Sequence, residues 1–212
     1  MDPGDLIEAG KIGRAALEAV ADADWDRRAT DLEWSCRDTV NHMLDSLLLF
    51  AARVAVLETR HTEGPRNGDP SNPAGHLAYL AEPCSAILAQ TVSLMPSGAR
   101  AFHPSGMADA DGFLAMGVLE VFVHTQDVVS SLGGSFEPPP DHCDGVVDRI
   151  FPWVDLQASA WERLLWASGR VALPGHPRQD DDWWIHPAPL AEWDGTVKKR
   201  TARTIDDPEE HR

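Results

Sequence analysis

Basic residues are scarce in this 212-residue chain: eighteen Lys and Arg face thirty-four Asp and Glu, for a formal charge of −16. That shortage argues against nucleic-acid binding, which needs a basic face to neutralise phosphates. It argues equally against docking on an anionic membrane surface. Cysteine is also sparse. Cys36, Cys84 and Cys143 are odd in number, widely spaced and without a CxxC, which disfavours a disulfide framework or a cysteine-based zinc site. No stretch approaches the roughly 18 consecutive apolar residues of a spanning helix. The opening MDPGDLIEAGKIGR carries acids where a secretory signal carries a basic region and an apolar core. The expectation is a cytoplasmic, thiol-reduced protein. Also missing are a phosphate-cradling glycine loop, a G-x-S-x-G elbow, a dinucleotide fingerprint and any 20–50-residue repeat.

What is present is helix. With 43% apolar and 25% charged residues, the composition suits one domain or a domain with an appendage. Residues 5–23 space Leu6, Ile7, Ala9, Ile12, Ala16, Leu17 and Val20 at helical intervals. Ser35, three residues before Asp38, makes a capping-box-like start to a second helix running about 25 residues toward Arg60. The Gly/Pro/Asn/Asp-rich 61–73 reads as a loop. Residues 74–95 predict a third helix, interrupted or offset near Pro83. Residues 109–132 predict a fourth, stopped by Gly133-Gly134. Beyond the Pro138–Pro140 run, 141–151 and 153–168 read as helical, and the Pro-rich tail from Gly169 has room for a brief extended piece. The expected fold is all-α: a four-helix bundle over 1–137 with strand-free connections, and a C-terminal helical extension and irregular tail over 138–212 packed on it.

The fourth helix carries the chemistry. Around Val118–His124 it is apolar on nearly every face, so it is buried. Glu120, His124 and Asp127 nevertheless line one stripe at +4 and +7. A carboxylate in such surroundings needs a basic partner or a cation. On the second helix His42 stands among Leu, Val and Phe, with Asp38 one turn before and Asp45 or Ser46 one turn after. Inward side chains from two helices can build a core site. Two imidazoles and a carboxylate suit divalent zinc, nickel, iron or manganese, and three ligands leave room for water or substrate. Asp127 is placed to orient His124 as an outer acceptor. The residues alone leave other readings open: Glu120–His124 as a simple i,i+4 pair, His42 as a hydrogen-bonded core histidine, and all three as a buried polar network.

Other residues read more plainly. His61, His76 and His103 fall in or beside loops, as solvated surface residues. His176 and His186 lie in the tail within reach of a pocket mouth. Cys36 is a small packed residue near a helix start. Trp153, Trp161, Trp166, Trp183, Trp184 and Trp193 either wall a cavity or pack the tail. Arg163 and Arg170 read first as surface salt-bridge partners, and Asp180–Asp182 as a solvated acidic turn.

Three stretches carry a resemblance: LEWSCRDTVNHMLDSLLLFA (32–51, with Trp25 ahead of it), LEVFVHTQDVVSSLG (119–133) and WERLLWASGR (161–170). Together they resemble the mycothiol-dependent maleylpyruvate isomerase-like proteins of the DinB-like superfamily. The resemblance implies a four-helix bundle whose His42, Glu120 and His124 hold a divalent ion, often zinc. It further implies that the ion activates a low-molecular-weight thiol such as mycothiol for isomerisation or S-transfer of a small metabolite. A coordinated thiol ionises well below its free pKa of about 8.5. The tail departs from the isomerase, whose further domain supplies a functional Arg with no match here. Two alternatives therefore stand beside a thiol enzyme: a thiol-free metal hydrolase or cyclase, and a non-catalytic binding bundle closed by a fourth ligand such as His186. A homodimer through an apolar helix face is a further expectation.

Overall fold

The computed structural model describes residues 1–30, 32–61 and 71–200. Most of the 61–73 loop and the C-terminal DDPEEHR lie outside the described residues. Among the described residues six α-helices carry the fold, in order α1 Pro3–Glu18, α2 Cys36–Val56, α3 Ala74–Ser93, α4 Ala110–Ser131, α5 Pro140–Ile150 and α6 Ala160–Ala167. This is the all-α bundle expected. One connection departs from the strand-free expectation. Between α3 and α4, β1 (Ala101–His103) and β2 (Gly106–Ala108) pair antiparallel about a tight turn, with Phe102 opposite Met107.

The helix starts follow from local chemistry. Asp2 caps α1 in a reciprocal box with Asp5, and Pro3 opens the first turn. Ser35 caps α2 by accepting from the Asp38 amide, and Asp109 caps α4 by accepting from Gly112. α3 runs unbroken through Pro83, contrary to the expected interruption. The carbonyl that proline leaves without its helical partner belongs to Tyr79, on the exposed side of the helix. α6 begins later than the expected residue 153. Ser159 and Glu162 form a full capping box there, so Pro152 to Ala158 stays irregular.

α1 and α2 each lie against both α3 and α4. Small residues set how closely α1 approaches: a Cβ on Gly10 would lie 2.6 Å from Ser85 Cβ, and one on Gly13 2.7 Å from Val121 Cγ1. α4 is the central helix, buried on nearly every face. Both α2 and α4 are long and apolar enough to cross a membrane by length and mean hydropathy. In α4 the core accounts for this, since 83% of the apolar window is buried within the fold.

α5 packs on α4, and α6 packs on α5. The tail returns across the bundle, where Arg149 of α5 holds the Asp109 cap together with the carbonyls of His186 and Pro187. Its extended pieces are single bridges, Leu173 with His176 and Trp183 with Lys199. This docking brings Arg170 and Trp183 to the face where α2 meets α4.

Candidate metal centre

α2 and α4 are neighbours, and His42 meets Glu120 and His124 at one level between them. Three ligand atoms, one from each residue, lie within 4.8 Å of one another, the one such cluster of His, Cys, Asp and Glu found among the described residues. Glu120 Oε2 is 3.3 Å from His124 Nε2 and 3.9 Å from His42 Nε2. The two rings meet edge to face at 5.2 Å. Side-chain exposure falls from 36% at His42 through 20% at Glu120 to 10% at His124, so the cluster opens on the His42 side.

Glu120 Oε2 is buried and accepts no hydrogen bond from any group of good geometry. A carboxylate oxygen held only by an ill-aligned imidazole contact is under-satisfied in so apolar a helix. With two imidazole nitrogens converging on it, the donor set fits a divalent cation.

Electrostatics point the same way. Burial pushes the Glu120 carboxyl up, but the adjoining His124, and after it His42, outweigh it and hold the group at about 2. Burial pushes His124 down, yet Asp127 and Glu120 raise it to about 9. The pocket is thus arranged to favour positive charge between Glu120 and Asp127.

Asp127 Oδ2 lies 3.2 Å from His124 Nδ1. The sequence did not reveal what lies behind it. Arg170 donates to both Asp127 oxygens, Nη2 at 3.0 Å and Nε at 3.4 Å. Its partner is therefore a buried carboxylate, not a surface one. Arg163 does pair with half-exposed Asp144.

Two cavities meet at the triad, sharing His42, Leu119, Glu120, Trp183 and Arg200 in their walls. The larger, about 710 Å³, runs past His124 and Asp127 and carries Arg170, Arg178 and Trp34. The smaller, about 320 Å³, runs past Ser46, Phe50 and Met116 to His103 and Trp184. Of the expected tryptophans, only Trp183 and Trp184 line these spaces. Trp34, not expected there, leans on His42 at 4.6 Å.

His103 overturns its surface reading. It sits on β1, buried between Phe50 and Trp184. The strands of its hairpin are three residues each, too short to show an alternation in the sequence. His61 and His76 are exposed as expected. His176 is exposed against Trp166. His186 is buried apart from the cluster, its Nε2 on the Pro189 carbonyl, so it does not close the cluster as a fourth ligand. Cys36, Cys84 and Cys143 are buried and unpaired; burial pushes Cys84 to about 11 and Cys143 to about 12. Asp181 of the acidic turn lines the larger cavity, and Asp182 holds Lys199 at 2.7 Å.

The chain matches the family model of the mycothiol maleylpyruvate isomerase N-terminal domain over residues 6–129, more than half its length. It belongs to that family. No curated protein and no solved structure matches it. The mycothiol maleylpyruvate isomerase N-terminal domain thus takes in α1 through nearly all of α4, including all three members of the triad, whereas Arg170 and the tail fall outside the match.

Proposed function

We propose that the protein is a metal-dependent enzyme in which His42, Glu120 and His124 hold one divalent ion, zinc foremost, and a low-molecular-weight thiol such as mycothiol reacts with a small metabolite by S-transfer or isomerisation. The observation that carries this reading is the convergence of two imidazole nitrogens on a buried Glu120 oxygen that has no well-formed hydrogen bond, at a place where two cavities meet. When bound, such an ion supplies Lewis acidity and lowers the pKa of a coordinated thiol or water.

The chain's own groups do the rest. Asp127 accepts a hydrogen bond from His124 Nδ1–H and keeps Nε2 turned toward Glu120. Arg170 holds Asp127 ionised and fixed. The larger cavity carries Arg170, Arg178 and Arg200 together with Glu33, Asp127 and Asp181, a mixed lining of donors and acceptors suited to a polar, hydroxyl-rich cosubstrate. The thiol must come from outside, because all three cysteines are buried and none belongs to the cluster.

Elemental analysis of the purified protein tests the ion, with one equivalent expected in the wild type and none in His124→Ala. A full equivalent retained in the variant refutes the ligand assignment. Thiolate ultraviolet absorbance on adding mycothiol to the zinc-loaded protein at neutral pH tests the thiol. Zinc retained without that absorbance turns the reading to a thiol-free hydrolase or cyclase.

A further inference from the structure

The smaller cavity has a character of its own. Its volume of about 320 Å³ suits a ligand of roughly ten non-hydrogen atoms, at the lower end of the range for small-molecule sites. Leu49, Phe50, Met116 and Ile185 make its walls apolar, and Trp184 adds a flat indole. Its two guanidinium groups are already engaged. Arg53 lies 3.5 Å from a Glu58 oxygen, and Arg200 rests on the Trp184 ring at 4.3 Å.

His103 is different. Its Nδ1 accepts the Ser105 backbone N–H at 3.1 Å and lies 2.6 Å from the Ser105 hydroxyl. A backbone amide can only donate, so Nδ1 is the acceptor and the neutral ring carries its proton on Nε2. Nothing among the described residues bonds Nε2. Burial foremost, then the charge of Arg53, pushes this ring down to about 3, so it is neutral at physiological pH. Ser46, exposed His61 and the triad's His42 also line the cavity, and among its apolar and aromatic walls His103 offers a buried, uncharged N–H donor.

We propose that this cavity binds the acceptor substrate, a small planar and uncharged carbonyl compound, with its oxygen on His103 Nε2–H and its body against Phe50, Leu49 and Met116. The assignment rests on the triad being the reacting centre, because it is the shared wall at His42 and Glu120 that would present such a carbonyl to a nucleophile from the larger cavity. Losing one neutral hydrogen bond costs an analogue without the acceptor oxygen about tenfold in affinity.

Calorimetric titration of the full-length, zinc-loaded protein with acetophenone, ethylbenzene and benzoate provides the test. Acetophenone is expected to bind about tenfold tighter than ethylbenzene and tighter than benzoate. In His103→Phe the preference for the ketone should vanish while ethylbenzene binding persists. Leu49→Trp, which fills the cavity from its edge and leaves the β-hairpin intact, should abolish binding of both. Equal affinity for ketone and hydrocarbon in the wild type overturns the proposal, as does tighter binding of benzoate or a preference that survives in His103→Phe. Zinc content measured on the same samples separates the two readings. A full equivalent without ketone preference overturns this inference alone, and ketone preference without zinc binding overturns the metal assignment alone.

Discussion

His124 Nδ1 lies 3.2 Å from Asp127 Oδ2, and Asp127 in turn is gripped by Arg170 through both its oxygens. The α4 helix thus supplies both the imidazole and its orienting carboxylate, one turn apart, while a residue 43 positions onward locks the carboxylate. Asp127→Asn keeps the shape but can present its amide N–H₂ to Nδ1 in place of an acceptor. Zinc affinity should fall by about 10- to 100-fold, the usual effect of losing such an outer partner. Competition with a chromophoric chelator measures it, and an unchanged affinity would show that His124 needs no orienting group.

Arg170 has a second consequence. Asp127 is 5% exposed and Arg170 18%, so their pair is largely shielded from water. Arg170→Met leaves Asp127 with His124 alone, and removing one partner of a buried pair costs about 3 kcal/mol. The urea midpoint of the variant should drop accordingly. Zinc affinity should fall less than in Asp127→Asn, since the His124–Asp127 contact survives. The opposite ranking would make Arg170 the main support of the site.

How much of this was legible in the sequence depended on spacing. Glu120 and His124 stood out because a 3.6-residue repeat places them on one stripe of a helix otherwise apolar all round. His42 stood out for the same reason on α2. The start of α6 was also legible, in the Ser159-x-x-Glu162 box, but the tryptophan-rich run from 153 masked it. Arg170 and His103 were not legible, because each takes its role from packing between distant segments. The docking of the tail on α4 brings Arg170 to Asp127, and strands of three residues are too short to show a period.

Gly13 tests how tightly α1 is held against α4. A Cβ there would meet Val121 Cγ1 at 2.7 Å. Gly13→Ala should destabilise by about 1–3 kcal/mol through overpacking, despite the better helix propensity of alanine. Val121→Ala alone should also destabilise, by leaving a cavity. The double variant should cost less than the sum of the two, because the new methyl fills the space vacated. Strict additivity in chemical denaturation would mean that α1 simply shifts away.

The titrating groups of the triad predict how stability depends on pH in metal-free protein. His124 is raised from 6.5 to about 9, so its contribution is complete below 6.5 and is lost as pH climbs through 9. Glu120 is lowered from 4.5 to about 2, so its contribution is present above 4.5 and is lost as pH falls toward 2. His103, lowered from 6.5 to about 3, adds to the acid-side loss below 6.5 because the unfolded ring takes up a proton that the buried one refuses. These three groups together place the maximum near pH 6.5, with a decline toward 9 that belongs to His124. A zinc ion held by the triad would reverse that decline. Its coordination would displace the proton that His124 Nε2 holds, so binding should tighten as pH rises, and the gap between loaded and metal-free protein should widen over the same interval. Thermal melts from pH 6 to 9, with and without zinc, should diverge in the wild type and run parallel in His124→Gln. Parallel melts in the wild type would mean that His124 is already neutral without the ion, and that its contacts with Glu120 and Asp127 do not hold a proton there.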